Sequence, residues 1–298
     1  MNGTTTATSR ATAIGCIALA LWSTLGLLTT IATGIPPFQL VATTFALAFA
    51  LALGKWLLRG EDIRAHLRVP TRAWLLGVGG LFGYHALYFA AFARAPAVEV
   101  NLLCYLWPLF VVLFAGMLPG ARIAPRHIVG TVMGLIGCAI LAGAGAAMRA
   151  EHIAGYVLAV ASAAVWAGYS ALSRRFAEVS SDAVGGFCGV TAVLGLATHL
   201  ALERTTWPDA AGWLAMVALG IGPVGLAFYV WDHGVKRGDL TLLGALSYLV
   251  PLASTLMLIA FGYAQASWRL AAACVLIVGG ALVASFAGLR RPAAPPLG

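Results

Sequence analysis

Asn101, Tyr105 and Pro108 stand at i, i+4 and i+7, so a helix carrying them presents all three on one face. Tyr84 and Tyr88, four apart, share a face in the same way, with His85 beside them, and Trp107 lies on a face adjoining that of Asn101. Trp22, Trp166 and Tyr248 also fall deep inside long apolar runs. What such a set can do is bind. Ring faces stack on a ligand's rings and attract cations, while a side-chain amide donates to a carboxylate or accepts from an amino group. The expected ligand is flat and partly apolar, and with few charges to grip an ion the site is expected to be permissive.

Bond-making chemistry finds little support. The ionisable groups near membrane depth are His85, Glu99, His199, Asp232 and His233. Glu99, near the outer end of its helix, is expected to reach water. Asp232 and His233 precede Lys236 and Arg237, so local pairing is expected there rather than a proton relay. Glu99 and Asp232 are nonetheless the candidates for coupling to protons, because intramembrane carboxylates are costly and usually functional. The run Gly220-Ile221-Gly222-Pro223-Val224-Gly225 imitates a nucleotide loop but lacks the preceding strand such a loop needs. No H-E-x-x-H spacing or magnesium-holding acidic cluster occurs, and Cys16, Cys104, Cys138, Cys188 and Cys274 form no C-x-x-C pair. No catalytic residue, metal or cofactor is expected.

The elements that position these residues follow from composition. Of 298 residues 61% are hydrophobic and 9% charged, against about 25% charged in a soluble domain. Lipid must therefore be the solvent for most of the chain. Apolar stretches of about twenty residues recur, and backbone groups in hydrocarbon must pair within each stretch, which means helices. The alternation of a membrane β-barrel is absent. An all-α polytopic membrane protein with ten spans is expected, near 11–32, 37–58, 73–94, 98–118, 127–147, 154–173, 183–202, 212–234, 241–263 and 269–288. Tyr156, Trp207, Trp213 and Trp268 lie near helix ends and fit an interfacial aromatic belt.

With the N-terminus in the cytoplasm, fourteen of the eighteen Lys and Arg fall on that side, leaving Arg94, Arg149, Arg204 and Arg269 outside. Such asymmetry sets orientation, so both termini are expected in the cytoplasm of a bacterial inner membrane. The net charge of +8 is thus a topology signal, and no nucleic-acid partner is expected.

The halves resemble each other at a shift of 143 residues. Tyr105-Leu106-Trp107-Pro108-Leu109 falls on Tyr248-Leu249-Val250-Pro251-Leu252, Gly77 and Gly79 on Gly220 and Gly222, Arg94 on Arg237, and Gly137 and Gly145 on Gly280 and Gly288. Five helices per half is an odd number, so the halves, 11–147 and 154–288, are expected upside down relative to one another. They would be joined by an outer linker at 148–153, with a cytoplasmic N-terminus at 1–10 and a Pro-rich disordered tail at 289–298. Inverted repeats let one fold open to either side of a membrane. Pro108 and Pro251 are expected hinges, as are Gly77, Gly79, Gly220 and Gly222; Gly130 and Gly134, a G-x-x-x-G pair, fit helix packing better.

Tyr229-Val230-Trp231-Asp232-His233-Gly234-Val235-Lys236-Arg237-Gly238, leading to Ala245-Leu246-Ser247-Tyr248-Leu249-Val250-Pro251, is similar to the EamA branch of the drug/metabolite transporter superfamily. The first-half run Asn101-Leu102-Leu103-Cys104-Tyr105-Leu106-Trp107-Pro108 resembles the aromatic amino acid exporters of that branch. The resemblance implies a basket-shaped bundle with a central cavity, carries Asn101, Tyr105 and Trp107 over as site positions, and implies export of aromatic and other neutral amino acids. The alternatives are a broader exporter of metabolites or cationic drugs, a membrane-embedded enzyme, and a structural membrane protein.

Overall fold

The computed structural model describes residues 2–119, 123–141 and 149–285. The order is α1 (Asn2–Trp22), α2 (Leu25–Ile31), α3 (Pro37–Leu58), α4 (Ile63–Leu67), α5 (Thr71–Phe92), α6 (Ala97–Cys104), α7 (Trp107–Gly116) and α8 (Pro125–Leu141), then α9 (Ile153–Leu172), α10 (Ala183–Leu202), α11 (Ala210–Ile221), α12 (Ala227–Arg237), α13 (Leu240–Leu246), α14 (Leu249–Ala260) and α15 (Trp268–Ser285). No strand occurs among the described residues. Among the described residues eight helical stretches are long and apolar enough to cross a membrane, and the shorter apolar helices α8 and α15 accompany them. The far ends of the last expected span in each half, with Arg122, Gly145, Gly288, Arg290, Arg291 and the tail, lie outside the described residues. This is a multi-pass membrane protein.

Linker residues act mainly as starts and stops. Pro36, Pro70 and Pro96 sit at the N-caps of α3, α5 and α6, where a fixed φ suits the entry and a missing N–H costs nothing. Asp62, Asp209 and Asp239 cap α4, α11 and α13 through Arg64, Gly212 and Leu242 amides at 2.9, 2.7 and 3.0 Å. Gly60 and Gly262 end α3 and α14 at positive φ, 65° and 79°, which a Cβ would oppose. At the start α1 is already helical from Asn2, ahead of the apolar run that begins near Ala11.

The longest helical contacts are α8 with α15, α3 with α10, α5 with α9, and α1 with α12. At a shift of 143, α8 corresponds to α15 and α3 to α10, while α5 with α9 exchanges with α12 and α1. The packing therefore maps onto itself when the halves are swapped. Small residues allow the closest approaches, since a Cβ at Gly130 would stand 2.4 Å from the Gly280 carbonyl oxygen and one at Gly134 would stand 2.6 Å from the Tyr248 ring. The G-x-x-x-G pair serves packing, as expected.

Several spans are not continuous α-helices. The first breaks at Ser23–Thr24, where Ser23 and Thr24 hydroxyls donate to the Leu19 and Leu21 carbonyls at 2.8 and 2.7 Å and compete with the helix ladder. The fourth breaks at Tyr105–Leu106 and the ninth at Ser247–Tyr248. Pro108 and Pro251 follow these breaks, each in the first turn of the new segment. The eighth is α-helical on either side of a π-turn at Gly222–Leu226, which contains Pro223. Only glycine fits at 225, since a Cβ there would meet the Gly220 carbonyl oxygen at 2.4 Å.

Candidate functional site

The breaks bring the aromatic residues together. Trp22, the last residue of α1, has its ring centroid 5.0 Å from Trp231, 5.5 Å from Trp166 and 6.3 Å from Trp107. Its indole N–H donates to the Pro223 carbonyl at 2.9 Å, so the break in the first span holds a carbonyl of the π-turn in the eighth. Trp231 donates to the Ser170 hydroxyl at 3.0 Å and is fully buried. Phe228 stacks on Phe45 at 5.6 Å and tilts against Trp166 at 5.7 Å. Each such ring pair contributes about 0.5–1.5 kcal/mol beyond area burial. The result is a closed aromatic plug.

A more open wall adjoins it. Tyr84 packs on Trp166 at 5.6 Å and stacks on Tyr88 at 5.7 Å. The Tyr88 hydroxyl donates to the Asn101 side-chain oxygen at 3.2 Å, joining the two faces picked out in the sequence. His85 Nδ1 meets the Leu81 carbonyl at 2.7 Å, the partner of a protonated Nδ1, and its ring stands edge-on to Phe45. Tyr84, His85, Tyr88, Asn101, Tyr105 and Trp107 are half-buried, whereas Trp22, Trp166 and Tyr248 are buried. Tyr248 stands apart from the plug, packed with Cys138, Leu252 and Ile277, and its hydroxyl donates to the Tyr105 carbonyl at 3.0 Å. Cys104 lies near Ser162 on α9, 3.5 Å from its hydroxyl.

The hinge candidates separate. α5 runs unbroken through Gly77 and Gly79, and a Cβ at Gly77 would stand 2.3 Å from the Phe187 ring. Gly220 and Gly222 border the π-turn, with Gly220 against Leu47. Pro108 and Pro251 adjoin breaks rather than bending one long helix.

One expectation about a single residue is corrected. Glu99 does not reach water: it is buried and accepts a short hydrogen bond from Tyr156. Tyr156 is itself buried, and its hydroxyl also accepts from the Arg149 amide at 3.1 Å. Polar groups at the helix end find each other instead of solvent. Trp207 and Trp268 are exposed, as a belt requires. Asp232 pairs with Lys236 at 2.8 Å, both buried, and Lys236 also donates to the Val179 carbonyl at 3.0 Å, so the local pairing expected there is present.

Further polar contacts gather at that end of the bundle. Lys55 pairs with Asp182, Arg174 reaches the Gly238 carbonyl at 3.2 Å, and Arg237 reaches that of Ala177 at 3.3 Å. Glu61 and His66 of the linker between α3 and α5 and Asp182 ahead of α10 bring ligand atoms within 4.8 Å of one another there. The Lys55 ammonium already supplies the positive charge at Asp182. At the opposite end Glu203 accepts from the Phe38 and Gln39 amides at the start of α3 and from His199 at 2.8 Å.

Trp231 and Phe228 were not among the residues read as site candidates, because the adjoining Asp232-His233 reads as a helix leaving the membrane. The repeat carries the missing signal. Tyr88 and His85, moved by 143 residues, land on Trp231 and Phe228.

A model of the EamA-like transporter family matches residues 10–143 and, a second time, residues 153–286. The two matches begin and end 143 residues apart. The chain is 50% identical over 285 residues to the aromatic amino acid exporter YddG of Ancylobacter novellus, covering 95% of this chain and 99% of that one. It is 28% identical over 295 residues to the protein of the same name from Salmonella typhimurium, with 95% and 99% covered. A probable terminal-alkyne amino-acid exporter of Streptantibioticus cattleyicolor is 26% identical over 211 residues, 70% of this chain and 69% of that one. A solved crystal structure at 49% identity superposes with a TM-score of 0.90 over 93% of this chain and 97% of that one.

Proposed function

The chain belongs to the EamA-like transporter family, and from that premise we propose that it exports aromatic and other neutral amino acids across a bacterial inner membrane by alternating access. Ten spans form two inverted halves, with both termini in the cytoplasm. The exporter names of the relatives support the substrate class. The observation that carries the reading is the wall of Tyr84, Tyr88, Asn101 and Trp107 beside the plug of Trp22, Trp166 and Trp231. Rings on one side and an amide on the other suit an aromatic side chain and an α-amino or α-carboxylate group.

In this reading substrate sits in a central cavity between the halves, and the plug closes it toward the end where Lys55, Asp182 and Lys236 gather. The breaks in the fourth and ninth spans and the π-turn in the eighth are where backbone torsions change as the bundle opens to the other side. Discontinuous helices at mid-membrane suit this, since irregular backbone is tolerated there only where it lines a cavity or is held by protein. Glu99 and Asp232 are the carboxylates through which a proton gradient would act, and each already has a partner.

Counterflow in liposomes tests the proposal. Vesicles loaded with unlabelled tryptophan, phenylalanine, threonine or leucine should accumulate the labelled amino acid from outside, and an Asn101→Ala/Tyr105→Ala double variant should lose most of that uptake. No accumulation of any amino acid by folded protein would overturn the substrate class and leave other metabolites or drugs as cargo.

A further inference from the structure

A groove of about 520 Å³ runs along the outside of the bundle between α1, α3 and the π-turn, away from the Tyr84–Asn101 wall. Its apolar walls include Leu51, Ile221 and Leu226, which are 46%, 48% and 50% exposed, so the groove opens onto the lipid-facing surface. At the end nearest the linkers it turns polar. The Ser181 and Tyr229 hydroxyls reach it buried and without a hydrogen-bond partner, and the Asp182 carboxylate there is already matched by Lys55.

Beyond Ile14 and His233, which line both, the groove meets a shallow basin of about 990 Å³. Arg10 and Arg237 flank the basin, and neither pairs with a carboxylate among the described residues. Arg237 spends its N–H groups on the Ala177 carbonyl and the His233 ring. The helical continuation of α1 ahead of the apolar run is what brings Arg10 to this position. A long apolar slot open to lipid, two hydroxyls with bonds to give, and two arginines unmatched by acid describe the outline of one molecule.

We propose that this groove and basin bind one anionic phospholipid, with an acyl chain along Leu51, Ile221 and Leu226 and the phosphate between Arg10 and Arg237. Glycerol and ester oxygens accept from Tyr229 and Ser181. The apolar length selects lipid over a free anion, and the unmatched positive charge selects an anionic over a zwitterionic headgroup. One wall is the π-turn, so an occupied groove braces the eighth span.

Native mass spectrometry of the full chain, released from detergent with added phosphatidylglycerol or phosphatidylcholine, tests this. Phosphatidylglycerol should be retained about thirtyfold more strongly, in line with about 1 kcal/mol at a membrane surface for each of the two arginines. Arg10→Gln/Arg237→Gln should abolish the preference, and Leu51→Trp, which fills the slot, should lower retention of both lipids. Arg64→Gln/Arg72→Gln, basic changes away from the groove, should alter neither. Melting temperatures establish that each variant is folded. Equal retention of the two lipids by the unaltered chain, or an undiminished preference in the double arginine variant, would overturn the proposal. So would displacement of phosphatidylglycerol by free glycerol 3-phosphate with no effect of Leu51→Trp, since that describes an anion site without a chain.

Discussion

Tyr248 donates its hydroxyl to the Tyr105 carbonyl at 3.0 Å, and the two residues occupy the same place in the two halves, 143 positions apart. Where the fourth span breaks, its freed backbone is held by the side chain of its counterpart in the ninth. Tyr248→Phe should lower stability by about 1 kcal/mol, the net worth of one buried hydrogen bond. It should change the rate of exchange more than the half-saturating substrate concentration. Thermal unfolding in detergent and counterflow kinetics measure the two effects.

Pro108→Ala and Pro251→Ala each return an N–H to the first turn after a break and permit the segments to fuse into one helix. Both should slow counterflow while leaving equilibrium substrate binding nearly unchanged. Unaltered rates in both variants would defeat a hinge role for these positions.

Trp107→Ala removes a half-buried ring that packs on the plug, 6.0 Å from Trp231. Losing one aromatic contact to the substrate should raise the half-saturating concentration of tryptophan about tenfold, the equivalent of about 1.4 kcal/mol. Threonine, which offers no ring, should be affected less. A competition series with both amino acids reads the difference.

Asp232→Asn leaves Lys236 buried without its counter-charge. Breaking a buried pair from one side costs about 3–5 kcal/mol, whereas replacing both members by apolar groups is often neutral. Asp232→Asn should therefore melt well below the unaltered chain, and Asp232→Asn/Lys236→Met should recover most of the loss. If Asp232 carried protons instead, the single variant would keep its stability and lose its response to a pH gradient.

Much of the fold was legible because lipid leaves so few choices: long apolar runs, basic residues between them and, for most, Pro or Asp at their starts mark the spans. The self-match at 143 was equally plain, since Tyr-Leu-x-Pro-Leu is a rare run in a chain otherwise rich in Ala, Leu and Gly. What escaped was local. Ser23 and Thr24 are weaker breakers than Pro or Gly, and the Trp22–Pro223 bond that accompanies their break joins residues 201 apart. The partnership of Glu99 and Tyr156 links residues 57 apart, which no periodicity exposes. In the site, helical spacing found the Tyr88–Asn101 wall, whose members are close in sequence, but not Trp231, whose place depends on three other elements.

The plug is unevenly endowed between the halves. Moved by 143 residues, Trp22 and Trp107 become Val165 and Val250, Trp166 becomes Ser23, and Trp231 becomes Tyr88. Closing the molecule the opposite way must therefore rely on smaller and more polar groups, and the two closures cannot weigh the same. A carrier working downhill has equal Vmax/KM on its two faces, because no net flux survives at equal concentrations. The tryptophan surplus would then surface as a kinetic asymmetry: one face saturates at low substrate and turns over slowly, and the other saturates late and runs faster in proportion.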